Sequence, residues 1–277
     1  MNPLFRILFP LVTALALGTA AHAEDAPAQE QNPIASLDWH KGPATEDIAA
    51  KATIHTDADL SFLDEANSKR FLELTGNIPE DGNYIIASES AQWWATFAFD
   101  PVGYVKDDEK IDADELLATL KSGDAPSNEY RRSLGLGELH TVGWVVPPHY
   151  DAQTRRLEWG LKVRSGSGES VNYTVRLLGR TGVMNATLVA DPQTLDKDIP
   201  LFKASLGGFA FKPGETYAEY KEGDRVAEYG LAALVVGGAA AVAAKTGFLA
   251  KFWKLIVLGA GALVAAVGRL FGRKKKA

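Results

Sequence analysis

The chain of 277 residues contains no cysteine. That excludes thiol nucleophiles, CxxC redox pairs, disulfide frameworks and Cys-ligated zinc or iron–sulfur sites. It also excludes a lipoprotein anchor, which needs a lipidated cysteine. Histidine is scarce, at five residues. No GxSxG elbow, Walker loop, GxGxxG or HExxH occurs. No acid stands between residues 231 and 277. Residues 39–229 hold no fixed-period repeat and no low-complexity tract. What is present is ordinary for a folded chain: 46% hydrophobic and 23% charged residues, enough for one sizeable core and a second small unit. The net charge of −6 argues against nucleic acid as a partner.

Residues 1–23 read as a secretory signal peptide. Arg6 supplies the positive start, Ile7 to Leu17 an apolar stretch broken by Pro10, and Ala21-His22-Ala23 a small-x-small cleavage site. The apolar stretch is short of the roughly 20 residues that a bilayer span needs. Residues 24–38 are polar, with Pro27 and Pro33, and form a flexible lead-in.

The opposite end carries two apolar runs, Leu231 to Ala244 and Leu255 to Val267, separated by Lys245, Lys251 and Lys254. The chain closes on Arg269, Arg273 and Lys274 to Lys276. Each run reaches spanning length if flanking Lys or Arg side chains snorkel to the interface. Gly237, Gly238, Gly259 and Gly261 suit close helix contact in lipid, and Phe252 and Trp253 suit an interfacial belt. The expectation is a hydrophobic anchor over residues 230–271, of one or two helical segments (about 230–250 and 252–271), then a basic tail over 272–277. A lipid bilayer is the partner of that anchor. A cleaved signal places the middle of the chain outside the cytoplasm, and the positive-inside rule places the tail within it, which favours one net crossing, with the second apolar run re-entrant or interfacial, over a two-span hairpin. The implied location is a bacterial inner membrane with the main domain in the periplasm. Residues 245–277 hold +8 and the signal peptide +1, so the region between carries 20 basic against 35 acidic groups, or −15.

Residues 39–229 form the exported domain of mixed pattern. A helix is expected over Leu60 to Gly76, capped by Asp64 and ended by Gly76. Tyr84–Ser88 and Trp93–Phe99 read as a hairpin. Asp112 caps a further helix that carries Glu115 at its third position and closes at Gly123; a second short helix runs from Asn128 to Leu134. The stretch from Leu139 to Ala190 reads as an antiparallel meander, in which Leu157, Trp159, Leu161 and Val163 face one way and Arg156, Glu158, Lys162 and Arg164 the other. Val171, Tyr173, Val175 and Leu177 repeat the alternation. A closing helix covers Leu195 to Leu206. The fold class is α+β, an antiparallel sheet with helices packed on one face, followed by a C-terminal transmembrane helical anchor.

The chemistry-bearing residues are few. His140 and His149 flank one strand, but the sequence places no carboxylate as a third ligand. The acidic stretch Asp107–Glu115 fails as an EF-hand, because Tyr104 would stand at the first ligand position and Glu109 at the required glycine. Arg156, Lys162, Arg164, Arg176 and Arg180 would make a basic stripe for an anionic headgroup or polymer, set against an ordinary solvated face. Trp93, Trp94, Trp144 and Trp159 would line a ligand groove, or else belong to the core. No catalytic, cofactor-binding or metal-binding residue is assigned.

GYVKDDEKIDADELL, GWVVPPHYD, LEWGLK, VNYTVRLLGRTGVM and the closing ETYAEY and AEYG together resemble the bacterial membrane-anchored proteins grouped as domain of unknown function 2167. The resemblance extends over about residues 34–271 and includes the FWKLIV of the tail. It implies an exported domain, a C-terminal membrane anchor and no established activity, cofactor or catalytic residues. The closing helix before a short strand is also analogous in shape to PsbP/Mog1-like α/β sandwiches. Two functions of different class follow: a non-enzymatic envelope protein that binds an envelope protein partner or scaffolds at the membrane, and a membrane-tethered hydrolase or metal-dependent enzyme using Asp107, Asp108, Glu158 or His140. The missing nucleophile and ligand cluster favour the first.

Overall fold

The computed structural model describes residues 32–237, apart from 92 and 167. The expected signal peptide, most of the expected lead-in and the expected anchor beyond residue 237 lie outside the described residues. The chain opens on three short strands, β1 (His40–Lys41), β2 (Ala44–Ile48) and β3 (Ala52–Thr56), then β4 (Leu60–Leu63). Asp64 caps α1 (Glu65–Leu74) by accepting from the Asn67 amide at 2.9 Å, and Gly76 leaves the helix at φ +72°. The expected helix therefore begins after residue 64, because Leu60–Leu63 is a strand buried along its whole length. The hairpin β5 (Asn83–Ser88) and β6 (Trp94–Asp100) is antiparallel as expected.

Asp112 caps α2 (Ala113–Ser133), accepting from the amides of Asp114 and Glu115 at 3.1 and 3.0 Å. This helix runs unbroken through Gly123 and Pro126, where the sequence predicts two helices. Polar side chains hold it in place. Asp124 accepts from the amide and hydroxyl of Thr141, and Asn128 exchanges two hydrogen bonds with the Leu139 backbone. Arg131 donates to the carbonyls of Gly137 and Gly76. These grips outweigh the one helical bond that proline removes.

The meander follows as β7 (His140–Asp151), β8 (Arg156–Ser165), β9 (Gly168–Leu178) and β10 (Val183–Ala190), then α3 (Leu195–Ser205), β11 (Phe209–Phe211) and α4 (Leu231–Val235). Eight strands form one antiparallel sheet in the order β1-β4-β5-β6-β10-β9-β8-β7, and β11-β3-β2 form a second.

The large sheet is covered on both faces, which corrects the expectation of helices on one face. Register explains why. Leu157 pairs with Arg176 and Trp159 with Thr174, so the apolar sets of β8 and β9 point to opposite sides. On the front, Phe62, Ile86, Phe97, Val175, Met184 and Leu188 pack against Ile48 and Ile54 of the small sheet and Phe202 of α3. On the back lie two further clusters. One joins Leu63 and Ile85 to Phe71 and Leu72 of α1. The other joins Leu157, Trp159 and Val183 to Leu116 of α2, to Val105 and Tyr217, and to Leu231 and Leu234 of α4. Among the described residues no helix is long and apolar enough to cross a membrane.

Candidate functional site

The sequence-derived candidates separate in space. His140 and His149 stand near opposite ends of β7, nine residues or roughly 30 Å apart along the strand. His140 lies 3.3 Å from Glu138, and His149 lies 3.8 Å from Glu158. No group of three His, Asp or Glu side chains gathers to hold a metal among the described residues.

Glu158 is buried on the front of β8, at 4% exposure. It accepts from the Tyr173 hydroxyl at 2.6 Å and from Lys203 Nζ of α3 at 2.7 Å. Burial works to raise its pKa. The bonds from Lys203 and Tyr173, with the charges of Lys203 and His149, outweigh burial and hold the carboxyl below the ordinary range. The same burial, with the carboxylate beside it, pushes the Tyr173 phenol up. This is a carboxylate kept ionised in a closed setting, whereas a general acid needs its proton held to higher pH.

Asp107 sits elsewhere, at the end of the sheet. It accepts from Tyr150 at 2.8 Å and from the Arg155 guanidinium. Burial acts to raise the Asp107 pKa, and these two partners bring it below the usual value. Tyr150 is pushed up to about 12, first by burial and then by the adjacent carboxylate. Arg155 lies over the Tyr217 ring at 5.0 Å, and Tyr104 stacks on Tyr217 at 4.4 Å. Asp108 is exposed. The four residues named for hydrolysis thus occupy separate places.

The basic stripe does not form. Arg156, Lys162 and Arg164 belong to the front set of β8, and Lys162 and Arg164 both reach Glu169, at 3.4 and 2.8 Å. Arg180 is locked on Asp224 by two bonds of 2.6 and 2.7 Å. That pairing takes the Asp224 carboxyl down to about 2. Arg176 lies on the back. The tryptophans divide as well: Trp93 joins the front core, Trp94 the α1 cluster, and Trp144 and Trp159 the α4 cluster. Trp93 and Trp159 are buried, Trp94 and Trp144 half-buried against their clusters, and the four do not line one groove.

Two features escaped sequence reasoning. One is a pocket of about 270 Å³ at the β1 edge, floored by Ser61 and Ala87 and walled by Trp39 and the Lys41–Glu89 ion pair. The small floor residues were its only signal. The other is Arg176, whose Nε is sealed from solvent with no hydrogen-bond partner among the described residues. Its guanidinium donates to Asn185 and lies 5.7 Å from the Trp159 ring centre. Desolvation lowers its pKa to about 10, against the opposing pull of Asp100. The arginine was visible in the sequence, but only the strand register puts it on the apolar side of β8.

These features define an α+β protein of two packed antiparallel sheets and flanking helices, with its ionised side chains in separate pairs. A model of the family described as protein of unknown function (DUF2167) matches residues 40–268, and the chain belongs to that family. The solution structure of cyanobacterial PsbP (CyanoP) from Synechocystis sp. PCC 6803 is similar at a TM-score of 0.36 and 10% identity, covering 60% of this chain and 90% of that one. No curated protein matches.

Proposed function

We propose that this is a membrane-anchored protein of a bacterial envelope, whose acidic domain is exported and works by binding at the membrane. The observation that carries the reading is α4. Leu231 and Leu234 begin the long acid-free apolar run and are fully buried in the domain, so the proposed anchor grows directly out of the core. That placement also bears on topology. With Leu231–Val235 committed to the domain, the first segment retains 15 residues, 236–250. As a helix these reach roughly 22 Å, against about 30 Å of hydrocarbon. The later segment, 252–271, is 20 residues long and matches a span. One crossing follows, with the +8 region leading to a cytoplasmic tail and the −15 domain outside.

Alkaline phosphatase fusions test this in a bacterial host. A fusion after Gly237 is expected to be active and one after Ala277 inactive. Activity after Ala277 overturns the single crossing; inactivity after Gly237 overturns export.

A further inference from the structure

Among the described residues the back of the large sheet is unevenly covered. α1 packs on β4 and β5, and α2 packs on β7. α4 lies with Leu157 and Trp159 of β8, and its cluster reaches Leu178 of β9 and Val183 of β10 at one end of the sheet. Between them run the central strands β6, β10 and β9, a strip about three strand spacings or roughly 14 Å wide. Register fixes what it presents. One row across the strands is Ala98, Asn185 and Arg176; the next is Thr96, Thr187 and Thr174. The row beyond is Trp94, Val189 and Asn172, so the floor is polar over its first two rows save Ala98 and turns largely apolar at the third. Apart from Thr174 these side chains are only half-buried. Thr174 and Thr187 share a hydrogen bond of 3.0 Å, while the Thr96 hydroxyl and the Asn172 amide have no partner among the described residues. A sheet face between helices ordinarily buries apolar side chains, so a polar floor of this breadth is the informative exception.

From this floor and Arg176 at its end, we propose that the strip is a binding groove for an acidic saccharide, whose hydroxyls meet the Thr and Asn side chains and whose carboxylate meets the Arg176 guanidinium. The chemistry favours a sugar over a peptide. A peptide captured in extended form pairs with a free strand edge, and these three strands have both edges hydrogen-bonded to neighbours. The ligand must therefore be recognised by side chains alone, through many small donors and acceptors. Trp94, half-buried at the strip's flank and edge-on to Phe71 at 5.1 Å, offers the apolar face that a sugar ring takes. Arg176 donates through Nη1 to Asn185 and has its Nε sealed from solvent, so a ligand carboxylate meets the guanidinium at Nη2, while Asp100 acts on it through charge alone.

The inference rests on the reading of the domain as a binding module. Its test is independent of topology, since a titration reports on the groove and the fusions on the crossing. The full-length protein in detergent micelles is titrated calorimetrically with trigalacturonate, with neutral maltotriose and with triglutamate. Saturable binding of trigalacturonate is expected, weakened about tenfold in Arg176→Met and in Thr187→Val, as one lost charge-assisted or neutral bond at a buried site implies. Asp100→Asn removes the competing carboxylate and is expected to tighten binding about threefold. Should Arg176→Met fail to fold, Thr187→Val and Asp100→Asn carry the test. Absence of saturation at millimolar trigalacturonate overturns the proposal. So does equal binding of maltotriose or triglutamate, or an affinity unmoved by both Thr187→Val and Asp100→Asn.

Discussion

Removing the lysine from the Glu158 cluster and removing the charge of Glu158 are not equivalent operations. The carboxylate is 6% exposed and Lys203 is 42% exposed. Lys203→Met leaves a buried anion with the Tyr173 hydroxyl and His149 at 3.8 Å, without its direct bond to a lysine, whereas Glu158→Gln lets the lysine turn into water. The first is expected to cost about 2–3 kcal/mol and the second about 1 kcal/mol at neutral pH. The sign of the pH dependence follows from the depressed folded pKa. Glu158 contributes stability above the ordinary carboxylate range, and loses it as pH falls through the folded value. Urea unfolding of both variants at neutral pH and near about pH 3 tests this: the gap between them should close on acidification. A gap that persists, or a Glu158→Gln that is the worse of the two, sinks the assignment. Strand alternation placed Glu158 on the polar side of β8 and went no further, because its burial depends on α3, which packs over that side from 45 residues along the chain.

At the scale of elements, the sequence was legible wherever a local signal decided the outcome. Asp64 and Asp112 cap helices, Gly76 ends one, and the meander strands follow their alternation. Two kinds of error remained. β1, β2, β3 and β11 span two to five residues, too short for periodicity to register, and β11 reaches β3 only across most of the chain. Alternation also says which residues of one strand share a face, but not whether neighbouring strands agree; the pairing of Leu157 with Arg176 decided that both faces are buried. Gly207 and Gly208 look alike in sequence and differ in place. A Cβ on Gly208 would stand 2.2 Å from the His55 carbonyl of β3, while Gly207 faces open space. Gly208→Ala must push the helix end away from the small sheet and is expected to cost about 2–3 kcal/mol. Gly207→Ala should stay within about 0.5 kcal/mol. Thermal melts of the pair check this, and equal melting temperatures would mean that the small sheet is loosely held.

For the whole molecule, the decisive boundary is the one between domain and proposed anchor. Composition draws it at residue 230, where the apolar run begins; packing draws it later, after α4. Glu109 accounts for part of the difference. Its carboxylate accepts from the Ala232 amide at 3.0 Å and ties the first turn of α4 to the 101–111 segment. Leu231, Leu234 and Val235 then fill the space over Leu157 and Trp159. Burying one such side chain contributes about 1.5–3 kcal/mol, so the three together rival the entire net stability of a domain, about 5–15 kcal/mol. A chain ended after Gly237 should therefore fold and melt as a stable domain. One ended after Gly230 should melt far lower or not fold, with Tyr217 and Trp159 newly exposed to dye binding. Equal melting of the two would make α4 an appendage and release the proposed anchor from the core. If instead the longer chain alone is stable, the first turn of the apolar run serves folding, and the proposed anchor begins only after α4, which under that proposal holds the domain close to the bilayer.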